Sequence, residues 1–151
     1  MRLSLRQLPY RLIIGLLTLG LIAAVVIRFD GAATAKAQYT VPQDGQLENS
    51  LGVRFTQAAV VGDGGLVEIR YTVLDAQRAS AFQNDVKHPP TLKNERTGKT
   101  AWRAALMKQG HTLRPGQTYY ILYLNNKNAI RPGDQIEIAT PARHLVHVPV
   151  R

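Results

Sequence analysis

The chain has 151 residues, with 19 Lys and Arg against 10 Asp and Glu for a formal net charge of +9, and no cysteine. Disulfide frameworks, thiolate metal centres and cysteine nucleophiles are thereby excluded. Hydrophobic residues at 45% against 19% charged exclude a disordered polymer, and the length suits one domain.

Residues 1–11 form a basic N-terminus carrying Arg2, Arg6 and Arg11 without an acid. Residues 12–29 open with LIIGLLTLGLIAAVVI, sixteen uncharged positions over 12–27. A basic start before such a run reads as a transmembrane signal anchor. It keeps the N-terminus cytoplasmic and exports the C-terminal remainder of the chain to the periplasm or cell exterior. Ala35-Lys36-Ala37 before Gln38 has the small-x-small spacing of a signal-peptidase site, and cleavage there makes the product secreted instead. Residues 30–50, with Gly, Ala, Thr, Gln and Pro42 and little periodicity, read as a linker.

Residues 51–151 are expected to form one exported β domain, about 100 residues long, enough to bury a core without staples. Residues 52–61 (GVRFTQAAVV) predict a first strand and Gly62-Asp63-Gly64-Gly65 a tight turn. In 66–74 (LVEIRYTVL), Val67, Ile69, Tyr71 and Val73 alternate with Glu68, Arg70 and Thr72, so the first set faces the core. Residues 75–82 predict one or two helical turns with Asp75 as N-cap. His88-Pro89-Pro90 forbids helix and opens an extended stretch. Residues 91–94 and 99–102 predict a hairpin around Glu95-Arg96-Thr97-Gly98. Residues 118–124 (TYYILYL) predict the central strand, and 134–140 and 145–150 close the fold. About seven short strands with frequent turns predict an all-β, antiparallel β-sandwich.

A seven-residue echo links Leu113-Arg114-Pro115-Gly116-Gln117-Thr118-Tyr119 with Ile130-Arg131-Pro132-Gly133-Asp134-Gln135-Ile136. Each Pro-Gly predicts a type II turn feeding a strand. In the first copy, Leu113, Pro115, Gly116 and Tyr119 have the L-x-P-G-x-x-Y spacing that opens a late strand in fibronectin type III and related immunoglobulin-like domains. The chain resembles that family over these seven residues and in its strand count. The resemblance implies an immunoglobulin-like sandwich in which Tyr119 folds back and its hydroxyl bonds to backbone upstream, the tyrosine corner. It implies no function. The layout of anchor, linker and one sandwich resembles small membrane-anchored bacterial envelope proteins.

Site chemistry is sparse. Ser4, Ser50 and Ser80 are the only serines, and none lies in a G-x-S-x-G elbow. There is no H-E-x-x-H, P-loop or G-x-G-x-x-G, and the aspartates fall at turn and cap positions. A non-enzymatic protein without a cofactor is the expectation. As an alternative, His88, Met107 and His111 are weak candidates for a copper site, since imidazole and thioether suit Cu(I). The stretch 131–150 loosely resembles the closing hairpin of periplasmic His/Met copper chaperones, but their H-x-M pair is replaced here by Tyr119-Tyr120-Ile121-Leu122. His144 and His147 differ in strand parity and are expected on opposite faces. Tyr119, Tyr120 and Tyr123 read as structural, with a ligand groove beside Tyr120 as their other reading.

Charge is the more useful signal. Residues 87–114 hold seven cations, Lys87, Lys93, Arg96, Lys99, Arg103, Lys108 and Arg114, against Glu95 alone, net +6. Residues 38–151 as a whole are net +5, so the rest of the domain is close to neutral. The segment, with Trp102 among its charges, is expected to be a contact surface for an anionic lipid, an acidic polymer or a partner protein of the envelope. Its plainer counterpart is a solvated hairpin whose long cationic side chains guard an edge. No nucleic-acid motif is present, and nucleic acid is not expected as a partner.

Overall fold

The period-two pattern of residues 66–74 determines the first sheet. In a computed structural model, which describes residues 39–108, 110, 112–141 and 143–151, Val67, Ile69, Tyr71 and Val73 are all buried to 1% exposure or less. They belong to β2 (Leu66–Val73), which pairs antiparallel with β1 (Val53–Val61) on one side and β6 (Thr118–Leu124) on the other. The register sets Val67 opposite Tyr123, Ile69 opposite Ile121 and Tyr71 opposite Tyr119, so β2 and β6 present one continuous apolar face. The basic N-terminus and the apolar run of 12–29 lie outside the described residues.

The strands form two antiparallel four-stranded sheets. The first has the order β1-β2-β6-β5, with β5 at Ala104–Leu106. The second has the order β4-β3-β7-β8, from β3 (Thr91–Asn94), β4 (Thr100–Ala101), β7 (Gln135–Ala139) and β8 (His144–Pro149). Side chains of both sheets meet in one core, with Phe55, Ile69 and Tyr123 from the first and Leu92, Ile136, Ile138 and Val148 from the second. The all-β, two-sheet expectation holds in these coarse terms, and residues 118–124 do form an inner strand.

The domain starts earlier than expected. Residues 39–50 are not wholly linker: α1 (Gly45–Leu51) forms there, capped by the Asp44 side chain, which accepts from the N–H groups of Gln46 and Leu47. Seven residues are too few to hold a helix in water by themselves. Burial of Leu47 to 2% and Val41 to 6% exposure holds it instead, at about 2 kcal/mol for a fully buried Leu. The second helix, α2 (Ala76–Asn84), takes Asp75 as its N-cap, as expected, through an Arg78 N–H to carboxylate bond of 2.8 Å.

The two Arg-Pro-Gly turns are type II, with Gly116 at φ 78° and Gly133 at φ 85°. They make the same clasp in different sheets. The Gly116 N–H donates to the Val73 carbonyl while the Val73 N–H donates to Gln117. The Gly133 N–H donates to Val150 while the Val150 N–H donates to Asp134. Val150 also bridges in parallel to Ala58 of β1, which ties the end of the second sheet to the edge of the first.

Candidate functional site

The sandwich leaves Trp102 and Tyr120 as exposed large aromatic residues, and Trp102 is the more exposed of the two. Leu92 stands opposite Ala101 and Lys93 opposite Thr100 across β3 and β4. Leu92 and Ala101 point inward and are buried. Alternation therefore turns Thr91, Lys93, Thr100 and Trp102 outward. Trp102 sits where the chain leaves β4 of one sheet for β5 of the other, and it is 64% exposed.

Facing it is the loop from α2 to β3. The loop turns back at residues 85–88, where the His88 N–H donates to the Asp85 carbonyl at 3.1 Å, and the Asp85 carboxylate holds the His88 ring at Nδ1, 2.8 Å away. Residues 86–89 and Thr91 make one wall of a groove of about 370 Å³, and residues 102–104 make the other. Val86 is also exposed, at 54%, so the groove shows apolar surface on both walls. Lys87 and Arg103 stand in the same groove, and neither makes an ion pair among the described residues. An exposed indole with two uncompensated cations is suited to an anionic group carried on an apolar or flat body.

The remaining cations do not all join this site. Lys93 reaches Glu137 of β7 at 3.7 Å, and Arg96 reaches the buried Asp134 at 2.8 Å. Asn94 supports the second contact by donating to the same carboxylate, 2.7 Å away. Burial pushes the Asp134 carboxyl up, but Arg96, the Arg131 N–H and Asn94 outweigh it and hold the group below the usual carboxylate range. Part of the +6 of residues 87–114 is thus neutralised across strands by acids remote in sequence. Lys99 and Lys108 are exposed without an ion pair among the described residues, and Arg114 lines a separate depression with Gln117 and Thr118. The fold therefore gathers Lys87, Trp102 and Arg103 out of the expected surface. Val86, His88 and Pro89, not expected as part of that surface, complete it.

Two of the copper candidates, Met107 and His88, are engaged elsewhere. Met107 is 4% exposed and packed in the core, and His88 is engaged with Asp85. His111 lies outside the described residues. No group of three or more His, Asp or Glu side chains is placed to hold a metal among the described residues. His144 and His147 do not occupy opposite faces. A bulge opposite Glu137, with His147 at φ 59°, resets the alternation, and both rings are exposed. His144 pairs with Glu137, and His147 pairs with Glu95 at 2.9 Å. Leu113 is buried, and the Tyr119 hydroxyl accepts from the Arg114 N–H at 3.1 Å.

No protein-family model, curated protein or solved structure matches this chain.

Proposed function

We propose that the chain is a non-enzymatic, membrane-anchored envelope protein whose exported domain contacts an anionic membrane surface through the Trp102 groove. One observation carries the reading: Trp102 and Val86 are exposed in one groove beside Lys87 and Arg103, two cations without ion pairs among the described residues. Trp and long cationic side chains are the residues that settle at a bilayer interface, and anionic lipids attract such charges at about 1 kcal/mol each. The apolar run of 12–27 supports the membrane assignment.

The finer fold belongs to the same proposal. The order β1-β2-β6-β5 over β4-β3-β7-β8 reads as A-B-E-D over C′-C-F-G of an immunoglobulin-like sandwich. Its tyrosine corner then sits on the strand in the E position, one strand earlier than the F position typical of that family.

The test uses the full chain in vesicles. Trp102 is the sole tryptophan, so its emission reports this groove alone. Anionic vesicles containing brominated lipid are expected to quench it. Raised salt and the double variant Lys87→Glu, Arg103→Glu are expected to relieve the quenching. Equal emission in neutral and anionic vesicles at low salt sinks the reading.

A further inference from the structure

A second hollow lies on the other side of the His88-Pro89-Pro90 segment. It measures about 340 Å³ and is formed where α1, α2 and the β7–β8 turn converge. Leu51, Ala81, Phe82 and Pro141 give it a mainly apolar lining. Its floor is firm, because the Phe82 ring packs edge-on to Phe55 at 6.3 Å and to Tyr71 at 5.9 Å. His88 lines both this pocket and the Trp102 groove, so the two hollows adjoin across one residue. Each is at the low end of the volumes single ligands occupy.

The polar groups around the two hollows differ in a way that gives a bound molecule a direction. On the pocket rim, the Arg78 guanidinium is committed to the Asn49 carbonyl at 2.5 Å and to Asp75 at 3.3 Å. Asp85 adds a carboxylate there, bonded to His88. The pocket therefore offers no uncommitted cation among the described residues and disfavours an anion. Lys87 and Arg103 offer two on the groove side.

We propose that the pair of hollows binds a single-chain anionic amphiphile, with its acyl chain in the Phe82 pocket and its acidic head between Lys87 and Arg103 beside Trp102. This deepens the membrane-surface reading and rests on it: the lipid that attracts the groove is also held, one molecule at a time, across His88. Burial of the chain supplies the apolar gain and the two cations supply the orientation.

A diazirine-bearing long-chain fatty acid tests the idea on the full chain in neutral phosphatidylcholine nanodiscs, with adduct sites mapped by mass spectrometry. Adducts are expected on residues 50–51, 78–82 and 140–141, displaced by excess dodecanoate and not by butanoate. Lys87→Glu with Arg103→Glu is expected to lower their yield at least about tenfold, the equivalent of one charge-assisted contact. Ala81→Phe fills the pocket from an exposed helix position and is expected to abolish these adducts while leaving the vesicle response of Trp102 intact. Ser50→Phe, from the opposite wall, repeats the blockade should Ala81→Phe misfold. Adducts spread evenly over the domain, or competition by butanoate equal to that by dodecanoate, overturn the amphiphile site. Pocket adducts that depend on Lys87 and Arg103, in a protein whose Trp102 ignores anionic vesicles, overturn the surface reading and leave the amphiphile site standing.

Discussion

Gly52 ends α1 at φ 70°, and its carbonyl accepts from both Leu74 and Asp75. A Cβ there would lie 2.6 Å from the Arg78 Cβ and 2.7 Å from the Asp75 carbonyl oxygen. Gly98 has the same φ of 70° but nothing within 4 Å of that position. Gly98→Ala should therefore cost only the left-handed backbone penalty, about 1–2 kcal/mol. Gly52→Ala should cost about 3 kcal/mol or more, because α2 backbone has to shift as well. Thermal unfolding of the two variants side by side checks this, and equal losses would mean that the α1–α2 contact yields freely. The cap aspartates give a second expectation. The Leu47 N–H holds the Asp44 carboxyl low, and the Arg78 N–H does the same for Asp75. At Asp134 burial acts upward, but Arg96 and the Arg131 N–H prevail. All three sit below the ordinary 3.8, so the folded state binds these protons less readily than the unfolded one. Their contribution is complete above that value and disappears as pH falls through the depressed folded values. Asp75→Asn keeps a competent cap and removes the charge. Its stability deficit against the parent should be present at neutral pH and shrink during acid titration. A deficit that stays constant to low pH would contradict the assignment.

At the scale of elements, α1 is the piece that turns a tether into part of the domain. Leu47→Ala should cost about 2–4 kcal/mol, the range for a buried Leu. Since Glu48 of the same helix binds Arg54 of β1 at 2.6 Å, that contact should loosen too. Hydrogen exchange of residues 47–52 against that of β2 measures it; unchanged protection in α1 would show that the helix stands without its anchor. This helix is hard to read in the sequence because Leu47 and Leu51 are one turn apart and the helix is barely two turns long. Periodicity needs more length than that to stand above a polar background. By contrast β1, β2, the Asp75 cap, the 91–102 hairpin and β6 to β8 are legible, since alternation and turn residues agree in each. β5 is not legible, because Ala-Ala-Leu carries no alternation and its pairing is supplied by β6. The bulge at His147 escapes for a related reason: strand parity assumes an unbroken ladder. The site is legible as charge and as Trp102, but not as shape. Adding charges along the chain cannot show that Glu137 and Asp134 pair with Lys93 and Arg96.

For the molecule as a whole, the groove lies where the sandwich changes sheets. The chain passes from β4 to β5 through Trp102 and Arg103, and such a crossing belongs to neither core face. Another link between the sheets is apolar: Val150, fully buried, and Arg151 join β1 through the Arg151 N–H to the Ala58 carbonyl. One of these links is thus buried and the other is exposed. That division predicts how stability and binding separate. Trp102→Ala removes a side chain that is 64% exposed, so it should change unfolding free energy by no more than about 0.5 kcal/mol, as ordinary surface substitutions do. Val150→Ala removes fully buried carbons and should cost about 2 kcal/mol. Flotation of residues 39–151 alone with fluorescently labelled anionic vesicles reports the domain's own affinity. It should fall sharply in Trp102→Ala and remain at the parental level in Val150→Ala below its melting point. Destabilisation by Trp102→Ala as large as by Val150→Ala would make the indole a packing residue, and the groove would lose its claim to be a contact site.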